Sequence, residues 1–290
     1  MGGRRRLALL LLLPLALLAL AAGLAGERLS RPVPGRVGAP PPGASAVLLP
    51  PTDQGQPVSG WLMRGRPGAG VVLLLHGLRS DRRQMLGRAA FLQRLGYSLL
   101  LIDLPGHGES PAEHLSFGVK ESEGVRAALA WLARELPAER VGVIGVSLGA
   151  ASLVLARGPR PAPAAVVLES MYPAIEEAVA DRLRLHLGDW AAPLAPLLLW
   201  QLPLRLGVSA EQLRPIERLP ELGAPLLLAA GSMDRHTPLA AAVRLFAAAH
   251  EPKELWVLEG AGHVDLHRFN PRAYETKVAA FLARHLRPPD

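Results

Sequence analysis

The sequence predicts an α/β protein, a mostly parallel eight-stranded sheet with helices on both faces. Three observations carry this. Short apolar runs without polar alternation recur along the chain, the pattern of strands buried on both faces. Stretches with helical apolar spacing lie between most of them, so strand and helix alternate. The 290 residues are 50% hydrophobic, enough for one domain with a full core.

Residues 46–49 and 58–64 read as two strands around the turn-rich stretch 50–57, an antiparallel start. Val71-Val72-Leu73-Leu74-Leu75 is a continuous apolar run that ends in His76-Gly77. A helix is expected over 83–95 and a strand over 98–102. The next helix covers 118–136, with apolar spacing at Val125, Leu129 and Leu132. Residues 140–146 form a strand, and a helix opens at Leu148. Strands follow at 164–168, 225–229 and 254–258, with helices at 238–249 and 271–286. Residues 172–222 break the alternation. Trp190, Pro193, Pro196, Leu197-Leu198-Leu199-Trp200 and Pro203 suit an insertion of short apolar helices, a small lid over the strand ends.

The α/β domain therefore spans 46–290. Ahead of it, Arg4-Arg5-Arg6 precede an apolar run over 7–25. A basic start and an apolar stretch are the parts of a secretory signal, and Ala22-Gly23-Leu24-Ala25 offers small residues for cleavage. The run also approaches the ~20 residues that cross a bilayer, so membrane association through a retained anchor is equally open. Residues 1–26 are read as one or the other. Either way the positive flank stays inside and the catalytic part lies outside the cytoplasm. Residues 27–45, with Pro32, Pro34, Pro40, Pro41 and Pro42, read as an extended Pro/Gly-rich linker.

Composition excludes several classes. The net charge is +7, but Arg4, Arg5 and Arg6 supply three of it and the other arginines are scattered. That is a solvated surface rather than a nucleic-acid site. With no cysteine, disulfides, Cys-ligated metals and a Cys nucleophile are excluded. Metal binding is a poor reading of these histidines, so no metal and no cofactor are expected.

In open α/β sheets, reactive groups gather at the carboxyl ends of strands. Ser147 follows the strand Val141-Gly142-Val143-Ile144-Gly145-Val146 directly and opens a helix. Gly145-Val146-Ser147-Leu148-Gly149 has the form of a nucleophile elbow, whose tight turn needs glycine on both sides of the serine. A serine hydroxyl needs a base. His263, in Glu259-Gly260-Ala261-Gly262-His263, follows the last strand. The base needs an acceptor that fixes its tautomer. Asp234, in Gly231-Ser232-Met233-Asp234, follows the strand before it. The backbone N–H groups of Leu78 and Leu148 are the expected oxyanion donors, with His76-Gly77 shaping the turn before Leu78. His107 reads as a brace for the loop 103–110. His236 is a weaker base, and Glu259 and Asp265 are alternative acids.

Together these blocks resemble the α/β-hydrolase superfamily, and more narrowly its serine aminopeptidase-like and monoacylglycerol lipase-like branch, with related acyl-protein thioesterases. The likeness rests on Leu75-His76-Gly77, Asp103-Leu104-Pro105-Gly106-His107-Gly108-Glu109-Ser110, Gly145 to Gly149, Gly231 to Asp234 with Thr237-Pro238, and Gly260 to His263. It implies two-step acyl transfer on a small-molecule acyl ester or thioester. Ser147 attacks, His263 shuttles the proton, Asp234 orients it, and water releases the acyl group. Two other readings remain. An aminopeptidase would use Glu176, Glu177, Asp181 or Asp189 to hold a free amine. A binding protein would keep the fold without the chemistry.

Overall fold

The computed structural model describes residues 2–51, 55–157 and 161–287, with the side chains of 2–15 left out of the description. The tip of the expected 50–57 turn, Arg4-Arg5-Arg6 as side chains and the first half of the apolar run therefore lie outside the described residues.

Eight strands form one sheet: β1 (Ala44–Leu49), β2 (Val58–Met63), β3 (Val71–Leu75), β4 (Ser98–Ile102), β5 (Val141–Val146), β6 (Ala165–Glu169), β7 (Leu226–Gly231) and β8 (Lys253–Leu258). Their order across the sheet is β1-β2-β4-β3-β5-β6-β7-β8. The β1–β2 and β2–β4 pairs are antiparallel and the rest parallel, as the sequence pattern implies. The expected strand limits hold to within two residues.

The apolar runs explain the layering. Side chains alternate across a strand, so a run with no polar residue fills two cores at once. Val71, Leu73 and Leu75 enter one cluster, and Val72 and Leu74 the other. The helices that cover the sheet are α2 (Leu86–Arg94), α3 (Val119–Glu135), α4 (Leu148–Leu155), α9 (Leu239–Ala248) and α11 (Pro271–Leu286). Burying Val125, Leu129 and Leu132 of α3 fixes its inward face.

The insertion after β6 is helical and broken by proline, as expected. It comprises α5 (Ile175–Leu187), α6 (Ala195–Leu199), α7 (Leu202–Leu206) and α8 (Pro215–Arg218). Its own small cluster joins Leu155, Ile175, Leu202, Leu206, Val208 and Leu213. The short helix α10 (Leu266–Phe269) follows β8.

The N-terminal region differs from expectation in one respect. Helix α1 (Gly2–Ser30) runs past residue 26 into the expected linker and packs against α6. The linker itself is docked, not free. Val33–Pro34 pair in parallel with His107–Gly108, and Val37 is buried. Ser30 accepts the Leu115 N–H at 2.8 Å. Proline lacks a donor but its neighbours do not, and their backbone groups find partners on the 103–110 loop. Among the described residues, no helix is long and apolar enough to cross a membrane.

Candidate active site

Ser147 stands between β5 and α4 with φ 50° and ψ −106°, outside the comfortable regions for a residue with a side chain. Its surroundings hold it there. The Ser147 N–H donates to the Glu169 carbonyl at 2.8 Å, and the Ser147 carbonyl accepts the Ala151 N–H at 3.0 Å. The flanking glycines are required by close backbone approach. A Cβ on Gly149 would stand 2.6 Å from the Leu75 oxygen, and one on Gly145 would stand 2.7 Å from the Ala150 nitrogen.

Asp234 and His263 meet across the loops after β7 and β8. The Met233 N–H donates to the Ala261 carbonyl at 2.9 Å, which locks the two loops together. His263 Nδ1 is 2.8 Å from Asp234 Oδ2. A carboxylate can only accept, so Nδ1 carries a proton, and in the neutral ring Nε2 keeps a lone pair. The other Asp234 acceptor positions are filled by the His236 N–H at 2.8 Å, the Thr237 N–H at 2.9 Å and the Thr237 hydroxyl at 2.8 Å. Burial opposes ionisation of Asp234, but the hydrogen bond and charge of His263 and the Thr237 donors outweigh it. The carboxyl is held below its ordinary range. No hydrogen bond joins Ser147 Oγ to His263 among the described residues. Contacts of this kind often tighten only around substrate.

The two expected donor groups are available. Neither the Leu78 nor the Leu148 N–H is taken up by another protein group among the described residues. Both residues, with Ser147, line a cavity of about 650 Å³ under the lid. Leu148 opens α4, so its N–H is one of the orphan donors of a helix start.

The remaining histidines have structural places. His76 is fully buried, accepts the Leu104 N–H on Nε2 at 3.0 Å, and donates from Nδ1 to the Gly77 carbonyl at 2.7 Å. Burial and then the neighbouring His107 push its pKa down to about 3. It ties the ends of β3 and β4 and stays neutral. His107 is buried against it, ring centroids 5.1 Å apart. The 103–110 block closes around a buried ion pair. Arg82 Nη1 lies 2.7 Å from Asp103 Oδ2, Arg82 also meets Glu109, and Asp103 accepts the Glu109 N–H at 2.8 Å.

The alternative acids are engaged elsewhere. Asp265 caps α10 and pairs with Arg88 at 3.0 Å, and Glu259 is exposed. His236 is the residue the sequence undervalued. Its ring stacks on His263 with centroids 4.9 Å apart, and it lines the cavity. Burial, then Arg182 and His263, lower its pKa to about 4, so it flanks His263 as a neutral ring.

A second missed feature lies beneath the elbow. Arg88 is fully buried and holds Glu169 with two bonds, of 3.0 Å and 2.6 Å. The Tyr274 hydroxyl donates to Glu169 at 2.5 Å. Glu169 also offers the carbonyl that anchors Ser147. A buried charge survives only when paired and hydrogen bonded, and this one is both.

The four acids considered for amine binding do not line the cavity. Glu176 pairs with Arg214, Glu177 with Arg244 and Asp181 with Arg184, while Asp189 is exposed.

Comparison with known proteins agrees with this architecture. An uncharacterised protein of Mycobacterium tuberculosis, Rv2307c, is 33% identical over 255 residues, covering 87% of this chain and 83% of its own. The Bacillus subtilis protein YqkD is 24% identical over 237 residues, covering 80% and 77%. Among solved structures, the Pyrococcus furiosus esterase Pf2001 superposes with a TM-score of 0.71 at 23% identity, over 89% of this chain and 98% of that one. An esterase from Exiguobacterium antarcticum gives 0.61 at 13% identity, over 82% and 99%. The model of the alpha/beta hydrolase family matches residues 72–276; it spans the family at large and does not single out the aminopeptidase-like or monoacylglycerol lipase-like branch. With its strand order, its elbow and this match, the chain belongs to the alpha/beta hydrolase family.

Proposed function

We propose that this hydrolase is a serine esterase that cleaves a carboxylic ester or thioester with an apolar acyl group. One observation carries the reading. The Asp234–His263 pair lies beside the cavity that Ser147 enters from the elbow, with two untaken N–H groups at the same place.

In this mechanism Ser147 Oγ attacks the carbonyl carbon while His263 Nε2 takes its proton. The carbonyl oxygen becomes an oxyanion held by the Leu78 and Leu148 N–H groups, worth about 3 kcal/mol each. The imidazolium, stabilised by Asp234, protonates the leaving alcohol or thiol. Water then attacks the acyl-enzyme with His263 as base, and the hydroxyl of Ser147 is restored. The esterase neighbours support the reaction class. The apolar lining, with Ile175, Val179, Leu183, Leu199, Leu202 and Leu206, supports the acyl group. The peptidase reading has less support, because Glu176, Glu177, Asp181 and Asp189 do not line the cavity.

Purified full-length protein should hydrolyse a p-nitrophenyl acyl ester and take a fluorophosphonate label on Ser147. Ser147→Ala should lower turnover by about 10⁴-fold or more and remove the label. Folded protein that takes no label would overturn the reading in favour of a binding protein. The proposed location outside the cytoplasm rests on the Arg4-Arg5-Arg6 flank and the apolar run over 7–25. Labelling in intact cells by a membrane-impermeant fluorophosphonate checks it.

A further inference from the structure

The cavity has a wall that the strand–helix pattern does not supply. Ala25, Gly26, Arg28, Leu29 and Ser30, the last turns of α1, line it together with α5, α6 and α7. Ala25 and Leu29 are four residues apart, so they share one helix face.

This end of α1 is tied at both sides. On the lid side, Gln201 is buried and donates to the Ala22 carbonyl at 2.9 Å. Arg205 pairs with Glu27 and donates to the Gly23 carbonyl at 3.1 Å. Gly26 lies so close that a Cβ there would collide with the Gln201 amide. On the catalytic side, Arg79 donates to the Arg28 carbonyl at 2.7 Å and the Leu29 carbonyl at 3.3 Å. These are the orphan carbonyls of a helix end, where a cation also meets the negative end of the helix dipole. Arg79 is the residue after Leu78, the proposed oxyanion donor.

We propose that the end of α1 is a fixed wall of the acyl site, so the working enzyme keeps this helix and takes a medium-to-long aliphatic acyl chain between α1 and the lid. This deepens the esterase reading and rests on it. The volume of about 650 Å³ falls among pockets of ~300–1,000 Å³ that enclose a ligand of many heavy atoms. An acetyl group would leave most of it unused. Cleavage after Ala25 would sever the Ala22 and Gly23 carbonyls from Gln201 and Arg205 and open the wall to water. The stretch that resembles a cleavage site is therefore part of the binding site.

The experiment uses full-length protein, solubilised in mild detergent where needed, and a series of p-nitrophenyl esters from butyryl to dodecanoyl. Each methylene buried should raise kcat/KM about fourfold until the chain meets the wall. Ala25→Phe and Leu29→Trp should each lower the dodecanoyl-to-butyryl ratio of kcat/KM by about tenfold or more. Fluorophosphonate labelling of Ser147 in each variant checks that the nucleophile is competent. An unchanged ratio in labelled variants overturns the wall while leaving the esterase reading intact. If the unmodified protein neither turns over any ester nor takes the label, both fail together. Mass spectrometry of the protein from its native cells should find an N-terminus before Ala22. A mature start at Gly26 or later overturns the proposal.

Discussion

Under the cavity, Ser147, Asp234 and His263 stand on strand ends and turns whose neighbours are fixed by hydrogen bonds and close backbone contact. Above it, α1 and the lid helices meet through apolar side chains and a few polar ties. The floor buries charge and satisfies it, as in the Arg88–Glu169–Tyr274 network. The roof leaves Leu187, Trp190, Trp200 and Leu204 exposed. Preorganised donors and a positioned base serve every ester alike, whereas choosing among acyl groups needs only a shaped apolar surface. On the proposed esterase reading, one region fixes the reaction and the other selects the substrate.

Substitutions that divide the two regions sharpen this contrast. After Ser147→Ala, the largest effect is expected from Asp234→Asn. It replaces the carboxylate that sets the His263 tautomer by an amide that can also donate to the ring, and should lower kcat by about 10⁴-fold with the cavity intact. The same residue contributes to acid stability. Its folded pKa lies below the ordinary value of 3.8, so its ionised form stabilises the protein above that value. That stabilisation is lost as pH falls through the lower folded value. Melting midpoints followed from neutral pH into acid should fall less steeply in Asp234→Asn than in the unaltered protein. Arg88→Met should come next, costing roughly 3–5 kcal/mol in denaturant unfolding by leaving Glu169 and Asp265 without their partner. An effect near zero would show that the floor is not held by this network. The smallest effect is expected on the roof. Leu204 is 79% exposed, and Leu204→Ser should stay within about 0.5 kcal/mol in the same assay. A larger loss would mean that the lid surface packs against something and that the contrast is overstated.

The floor was legible in the sequence because its chemistry is local. Each reactive residue follows a recognisable apolar run, and the glycines that the close approaches require stand beside it. The supporting network was not legible. Arg88 meets Glu169 and Tyr274 across 81 and 186 residues, and nothing in local pattern announces a buried arginine. Asp265, weighed as a catalytic acid, belongs to that same network. The stacking of His236 on His263 likewise depends on two loops that meet only in the folded chain. The lid was visible as a break in alternation, but its partner was not. Residues 7–25 are apolar on all sides, a pattern that marks export or burial without saying what the far end touches. The polar ties at Gln201, Arg205 and Arg79 show where that end lies.

The tether from His76 to the Leu104 N–H has a bearing on kinetics. Of the histidines near the active site, His76 and His236 are pushed down to about 3 and about 4, and burial lowers His107 as well. Across the range in which an esterase is assayed, His76 and His236 do not change charge. A limb of a rate profile above about pH 5 should therefore come from neither of these two rings.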